Sequence, residues 1–127
     1  MRDLYSNIAT RLALAPAVQS ASVDGVAIDT AGFNSVAFTV NTGAIVSAGD
    51  FSVKLQDSDA SGSGFADVAA GFVDTNAPAT IEAASAYKLG YRGNKRYARV
   101  VLTKAGGTSI ALGASAVLGD PAEAPAA

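Results

Sequence analysis

The stretch 87-YKLGYRGNKRYARVVLT-103 decides the fold. At its centre, Gly93-Asn94 has the composition of a two-residue turn closing a β-hairpin, because glycine adopts positive φ freely and asparagine tolerates it. With that turn, two-residue alternation assigns every flanking side chain to a face. Tyr87, Leu89 and Tyr91 share one face with Arg96, Ala98, Val100 and Leu102. Lys88, Gly90 and Arg92 share the other with Lys95, Tyr97, Arg99 and Val101. The first face is mostly apolar and is the expected core side. The second is basic, with Lys88 opposite Arg99 and Arg92 opposite Lys95, an arrangement that costs about a few tenths of a kcal/mol per exposed pair. Tyr97 falls opposite Gly90, where its ring covers bare backbone. Two readings of the basic face stand side by side. It is a solvated strand surface whose long side chains splay into water, or it docks on acidic or carbonyl-rich surface.

Upstream of the hairpin the pattern is also β. Val36, Phe38 and Val40 alternate with small or polar residues, and so do Phe51, Val53 and Leu55. Such alternation marks half-buried antiparallel strands rather than the continuous apolar runs of a parallel sheet. Strands are expected at 18–23, 26–28, 35–41, 51–57, 65–69, 80–84, 86–92, 95–103 and 109–118. The 79–86 run is alanine-rich enough for a helix, but its closeness to the hairpin favours strand. Turn signals recur at Asp24-Gly25, Ala31-Gly32, Thr42-Gly43, Ala48-Gly49-Asp50, Ser61-Gly62-Ser63-Gly64 and Gly106-Gly107. That spacing predicts an all-β, single-domain antiparallel β-sandwich or barrel over residues 17–119. Residues 1–15 do not read as a strand. Leu4, Ile8 and Leu12 suggest a short helical stripe, or residues 1–16 form an arm that orders on a partner. Residues 120–127, DPAEAPAA, read as a Pro/Ala tail.

At 127 residues the chain is long enough for one core. Half the residues are hydrophobic, but many are alanine and tryptophan is absent, so the core has few large anchors. Neither Cys nor His occurs. This excludes disulfides, Cys/His zinc sites, thiol nucleophiles and imidazole acid–base schemes. No apolar run reaches membrane-spanning length and no signal-peptide layout opens the chain, so synthesis in the cytoplasm and no membrane partner are expected.

The net charge of −2 conceals an asymmetry. Lys88, Arg92, Lys95, Arg96, Arg99 and Lys104 cluster late with no acid among them. Asp24, Asp29, Asp50, Asp57, Asp59, Asp67, Asp74 and Glu82 precede them, against one base, Lys54. Self-association or docking on a mixed-charge surface accounts for this; so does neutralisation of one half by the other within the fold.

Candidate chemistry is sparse. Asp57-Ser-Asp59-Ala-Ser61-Gly62 imitates the opening of an EF-hand loop, but Val68 stands where the bidentate Glu belongs, so a solvated hairpin loop is the better reading. No phosphate-binding loop occurs. Tyr91 and Tyr97 interleave with bases as in a single-strand nucleic-acid platform, yet only Tyr97 falls on the basic face. No catalytic residue, cofactor, metal or nucleic-acid partner is expected, and the chain does not read as an enzyme.

The start MRDLYSNI, the run FSVKLQDSD with its Gly/Ser loop and FADV, and the close YKLGYRGNKRYARVVLTKAGGTS resemble a family of small head proteins of tailed bacteriophages and prophages, encoded near the major capsid protein. The resemblance runs from Met1 to about Leu118. It implies a virion structural protein: a decoration or cement protein on the outer capsid surface that bridges major capsid protein subunits, as a homo-oligomer, commonly a trimer. A head–tail connector or tail component, and a carbohydrate-binding β-sandwich on the virion, are the alternatives. Under the first reading the docking surface comprises Lys88, Arg92, Lys95, Tyr97 and Arg99 with Arg2, Leu4, Tyr5 and Ile8 of the arm.

Overall fold

The structure is a computed structural model that describes residues 3–122; Arg2 and 123–127 of the expected tail lie outside the described residues. Among the described residues there are ten strands and two 3-10 turns, at Tyr5–Asn7 and Ala70–Phe72. The strands are β1 Ile8–Gln19, β2 Val23–Asp24, β3 Ile28–Asp29, β4 Phe33–Val46, β5 Asp50–Ser58, β6 Ala66–Asp67, β7 Val73–Thr75, β8 Ala86–Tyr91, β9 Tyr97–Gly106 and β10 Ser109–Pro121. All pairings are antiparallel. The first sheet has the order β1-β10-β4-β8-β7, and the second β2-β9-β5-β6 with β3 also on β9. Phe38, Leu89, Ile110 and Leu118 from the first sheet meet Phe51, Val100 and Leu102 from the second, all fully buried. The fold is an antiparallel β-sandwich.

The hairpin expected about Gly93-Asn94 does not form. β8 lies in the first sheet, on β4 and β7, while β9 lies in the second, on β5. Neither Gly93 nor Asn94 is among the described residues with positive φ, so no hairpin turn of the expected kind closes there. The five residues between the strands reach about 17 Å when extended, enough to cross the roughly 10 Å between packed sheets. What fills the bend is Tyr91. Its hydroxyl donates to Asp57 Oδ2 at 2.7 Å and accepts the Lys95 N–H at 3.0 Å. A Cβ on Gly93 would clash with the Tyr91 hydroxyl oxygen and the ring carbons beside it, so glycine serves here for close approach rather than for φ. The alternation itself holds: Leu89, Tyr91, Ala98, Val100 and Leu102 are buried. They face one another across the core instead of sharing a face. Arg96, in the crossover, is exposed and turns to Asp29.

The N-terminal segment is also different from the expectation. From Ile8 it is a strand, paired with β10 from Ile8↔Gly119 to Gln19↔Ile110. Two register shifts, Leu12/Leu14 and Leu14/Ala17, break the period-two signal, and Pro16 is tolerated because β1 is an edge strand. The boundary expected after residue 16 therefore falls within β1, and the one after 119 within β10. Residues 80–84 are not a strand: Ala84 has φ 51° and Ile81, buried, plugs the core from a loop while its N–H bonds Phe51 O. Expected strand 65–69 shrinks to Ala66–Asp67, 18–23 divides between the end of β1 and β2, 26–28 shifts to Ile28–Asp29, and β7 is additional.

Candidate interaction face

Strand register defines what each sheet shows to the outside. On the first sheet the outward rows are Ile8–Gly119–Ser35, Thr10–Val117–Ala37–Gly90–Asp74, Leu12–Ser115–Thr39–Lys88 and Gly113–Asn41–Ala86. Except for Asp74 and Lys88 these residues are neutral, and most are small, with Ile8 and Leu12 the large apolar exceptions. Asp74 is held by the Arg92 guanidinium through two bonds, at 2.7 and 3.1 Å. Among the described residues no carboxylate lies within ion-pair distance of the Lys88 ammonium. Two grooves open on this face. One, of about 480 Å³, runs between Leu12, Pro16, Val18, Asn41, Gly43 and Gly113. The other, of about 300 Å³, lies over Ala37 and Gly90 between Asp74 and Lys88. Leu12 and Val18 are 55% and 69% exposed, large values for aliphatic side chains. Pro16 rests against Gly113, where a Cβ would come within 2.9 Å of its ring.

The outer surface of the second sheet is the opposite in character. Lys54 pairs with Asp67, which also accepts from Gln56; Gln56 in turn accepts from Arg99, and Arg99 approaches Asp24 at 3.6 Å. The Arg99 guanidinium lies 4.2 Å from the Phe65 ring centroid, and Arg96 lies 5.2 Å from that of Tyr97. Arg96 and Asp29 form a two-bond pair at 2.9 Å. The Arg96 hydrogen bond is the chief cause that holds the Asp29 carboxyl down to about 2. Gln56 and then Lys54 likewise lower Asp67. This face satisfies itself, although solvent-exposed pairs of this kind contribute little to stability.

The residues expected to form one basic face are thus dispersed. Lys88 is on the outside of the first sheet, Tyr97 and Arg99 on the outside of the second, and Arg92 and Lys95 in the crossover between them, paired with Asp74 and Asp59. Neutralisation of the late basic run by the early acids is what the tertiary structure displays: Asp24, Asp29, Asp59 and Asp74 pair with Arg99, Arg96, Lys95 and Arg92. Leu4 and Tyr5, 66% and 88% exposed, precede β1, and half-buried Ile8 begins it. The Asp57–Asp59 loop does not converge on a cation position, since Asp57 turns to Tyr91 and Asp59 to Lys95. Burial, and then the bond to Asp57, push the Tyr91 hydroxyl up to about 12.

Val18, Thr39, Gly113 and Ser115 carry the neutral face without having been singled out from sequence, together with Leu12, which was expected on a helical stripe and not on a sheet surface. For Thr39, Gly113 and Ser115 the signal was the want of any charge across 35–41 and 111–117, whose meaning is visible only once the alternate positions are known to face outward. Comparison with protein-family models, curated proteins and solved structures yields no match. The class defined by fold and surface is an antiparallel β-sandwich with one neutral and one ion-paired face.

Proposed function

We propose that this chain is a structural, non-catalytic module of a tailed-bacteriophage head: a decoration protein that docks on major capsid protein subunits through the outside of its first sheet. The observation that carries the docking reading is the contrast between the two outer surfaces. A sheet surface of small neutral side chains sheds water at little electrostatic cost, whereas an ion-paired one does not. Lys88, the one charge on that surface without a carboxylate beside it among the described residues, suits a partner carboxylate or carbonyl cluster. The assembly itself is inferred from the resemblance of MRDLYSNI, FSVKLQDSD and the 87–109 run to small phage head proteins. Many copies on one shell make a modest contact per copy sufficient.

The test compares occupancy of purified heads by a Leu12→Glu/Lys88→Glu variant and by Lys54→Glu, which alters the other sheet. Loss of the first with retention of the second is expected. Equal retention of both, or loss of the second alone, removes the first sheet from the account. Copy number separates the alternative within the virion: abundance matching the shell means decoration, and a single ring's worth means a connector or tail part.

A further inference from the structure

The sandwich has one long open edge. β7 has three residues and β2, β3 and β6 have two each, which leaves little backbone for another strand to pair with. β1 has twelve and, among the described residues, pairs on one side only, with β10. Its second half is closed off. The register shifts and Pro16 interrupt it, and the Ala13 carbonyl accepts the Val26 N–H at 2.7 Å. Its first half, Ile8–Leu12, keeps an unbroken register against Gly119–Ser115, and no backbone bond from outside the sheet engages it among the described residues.

We propose that Ile8–Leu12 is an interface between two copies of this chain, pairing antiparallel with itself about a twofold axis through Thr10 and joining two five-stranded sheets into one of ten. The side chains make the segment self-complementary in that register. Ile8 falls opposite Leu12 of the second copy, and Ala9 opposite Arg11, so the single charge of the segment meets alanine and never itself. Ile8, Thr10 and Leu12 share the outer face with Gly119, Val117 and Ser115, so exposed Leu12 gains an isoleucine neighbour. Centring on Arg11 would set two guanidinium groups face to face. Centring on Ala9 would run the pairing into the 3-10 turn at Tyr5–Asn7. A strand from an unrelated protein has no such constraint, whereas Thr10 is the one centre that uses all five residues. The interface is the backbone edge of β1, which adjoins the docking surface proposed above and shares Ile8, Thr10 and Leu12 with it, but testing it needs no phage particle.

The experiment is sedimentation equilibrium and native mass spectrometry on the full chain. A dimer is expected for the unaltered protein. Thr10→Lys and Thr10→Glu, at an exposed edge position, each place like charges together on the axis and are expected to raise the dissociation constant roughly threefold or more. An equimolar mixture of the two restores a dimer, now mixed, and Thr10→Val keeps the dimer. Circular dichroism verifies the fold of each. A monomer across the accessible concentration range, a dimer of Thr10→Lys as tight as the original, or a mixture that stays monomeric would each overturn the proposal; a monomer in solution is also what pairing with a foreign strand would give.

Discussion

Replacing Tyr91 with phenylalanine tests the crossover on which the sheet arrangement turns. The hydroxyl sits in a buried side chain, 7% exposed, between Asp57 Oδ2 at 2.7 Å and the Lys95 N–H at 3.0 Å. A hydrogen bond to a carboxylate contributes about 1.5–3 kcal/mol and one to a backbone N–H about 1, so the variant is expected to lose about 2–4 kcal/mol. For a chain of this length that is a fall in Tm of about 8–16 °C. The pH dependence supplies the sharper readout. The Tyr91 pKa is raised from 10.0 to about 12, so in that interval the unfolded chain releases a proton that the folded chain retains. The stabilisation is complete below pH 10 and is lost as pH rises towards 12, on the order of 2–3 kcal/mol in all. Urea titrations of both proteins from pH 8 to pH 12 measure it. Lysines and the other tyrosines titrate in both, so the difference isolates Tyr91. If Tyr91→Phe retains the same alkaline slope and unfolds within about 0.5 kcal/mol of the original, the hydroxyl does not hold the crossover and the reasoning fails.

Gly113→Ala drives a methyl to within 2.9 Å of the Pro16 ring and 3.0 Å of its Cα, with little freedom to yield on either side. It is expected to destabilise by about 1–3 kcal/mol in denaturant unfolding, and an unchanged midpoint would show that β1 is looser over β10 than its register indicates. At acid pH, Asp29 is lowered from 3.8 to about 2, so the stabilisation from its pair with Arg96 is present above pH 4 and is lost as pH falls to 2. Both side chains are about half exposed, which keeps the effect to about 1 kcal/mol or less; Asp29→Asn should remove that part of the acid slope, as read from unfolding curves at pH 5 and pH 2.5.

The β class, the antiparallel pairing and the inward face of most strands are legible in the chain itself. Leu89, Tyr91, Val100 and Leu102 are assigned to the core by alternation and are found there, because which side a residue projects from is a local property of extended backbone. Where the alternation is interrupted, as at the two register shifts and Pro16 of β1, the same reasoning mistakes a strand for an arm. Ile81 likewise joins the core from a loop, a position no period announces. Which strand lies beside which is decided by contacts far apart along the chain. Alternation would have been identical had β8 and β9 formed a hairpin or, as they do, faced each other across the core. That choice put Lys88 on one outer surface and Arg99 on the other, and it gave the basic run its acidic partners. Composition excluded imidazole and thiol chemistry and the spacing of strands and turns left a sandwich or a barrel; only the packing of one sheet on the other determined that, among the described residues, the charged outer side satisfies itself while the neutral one does not.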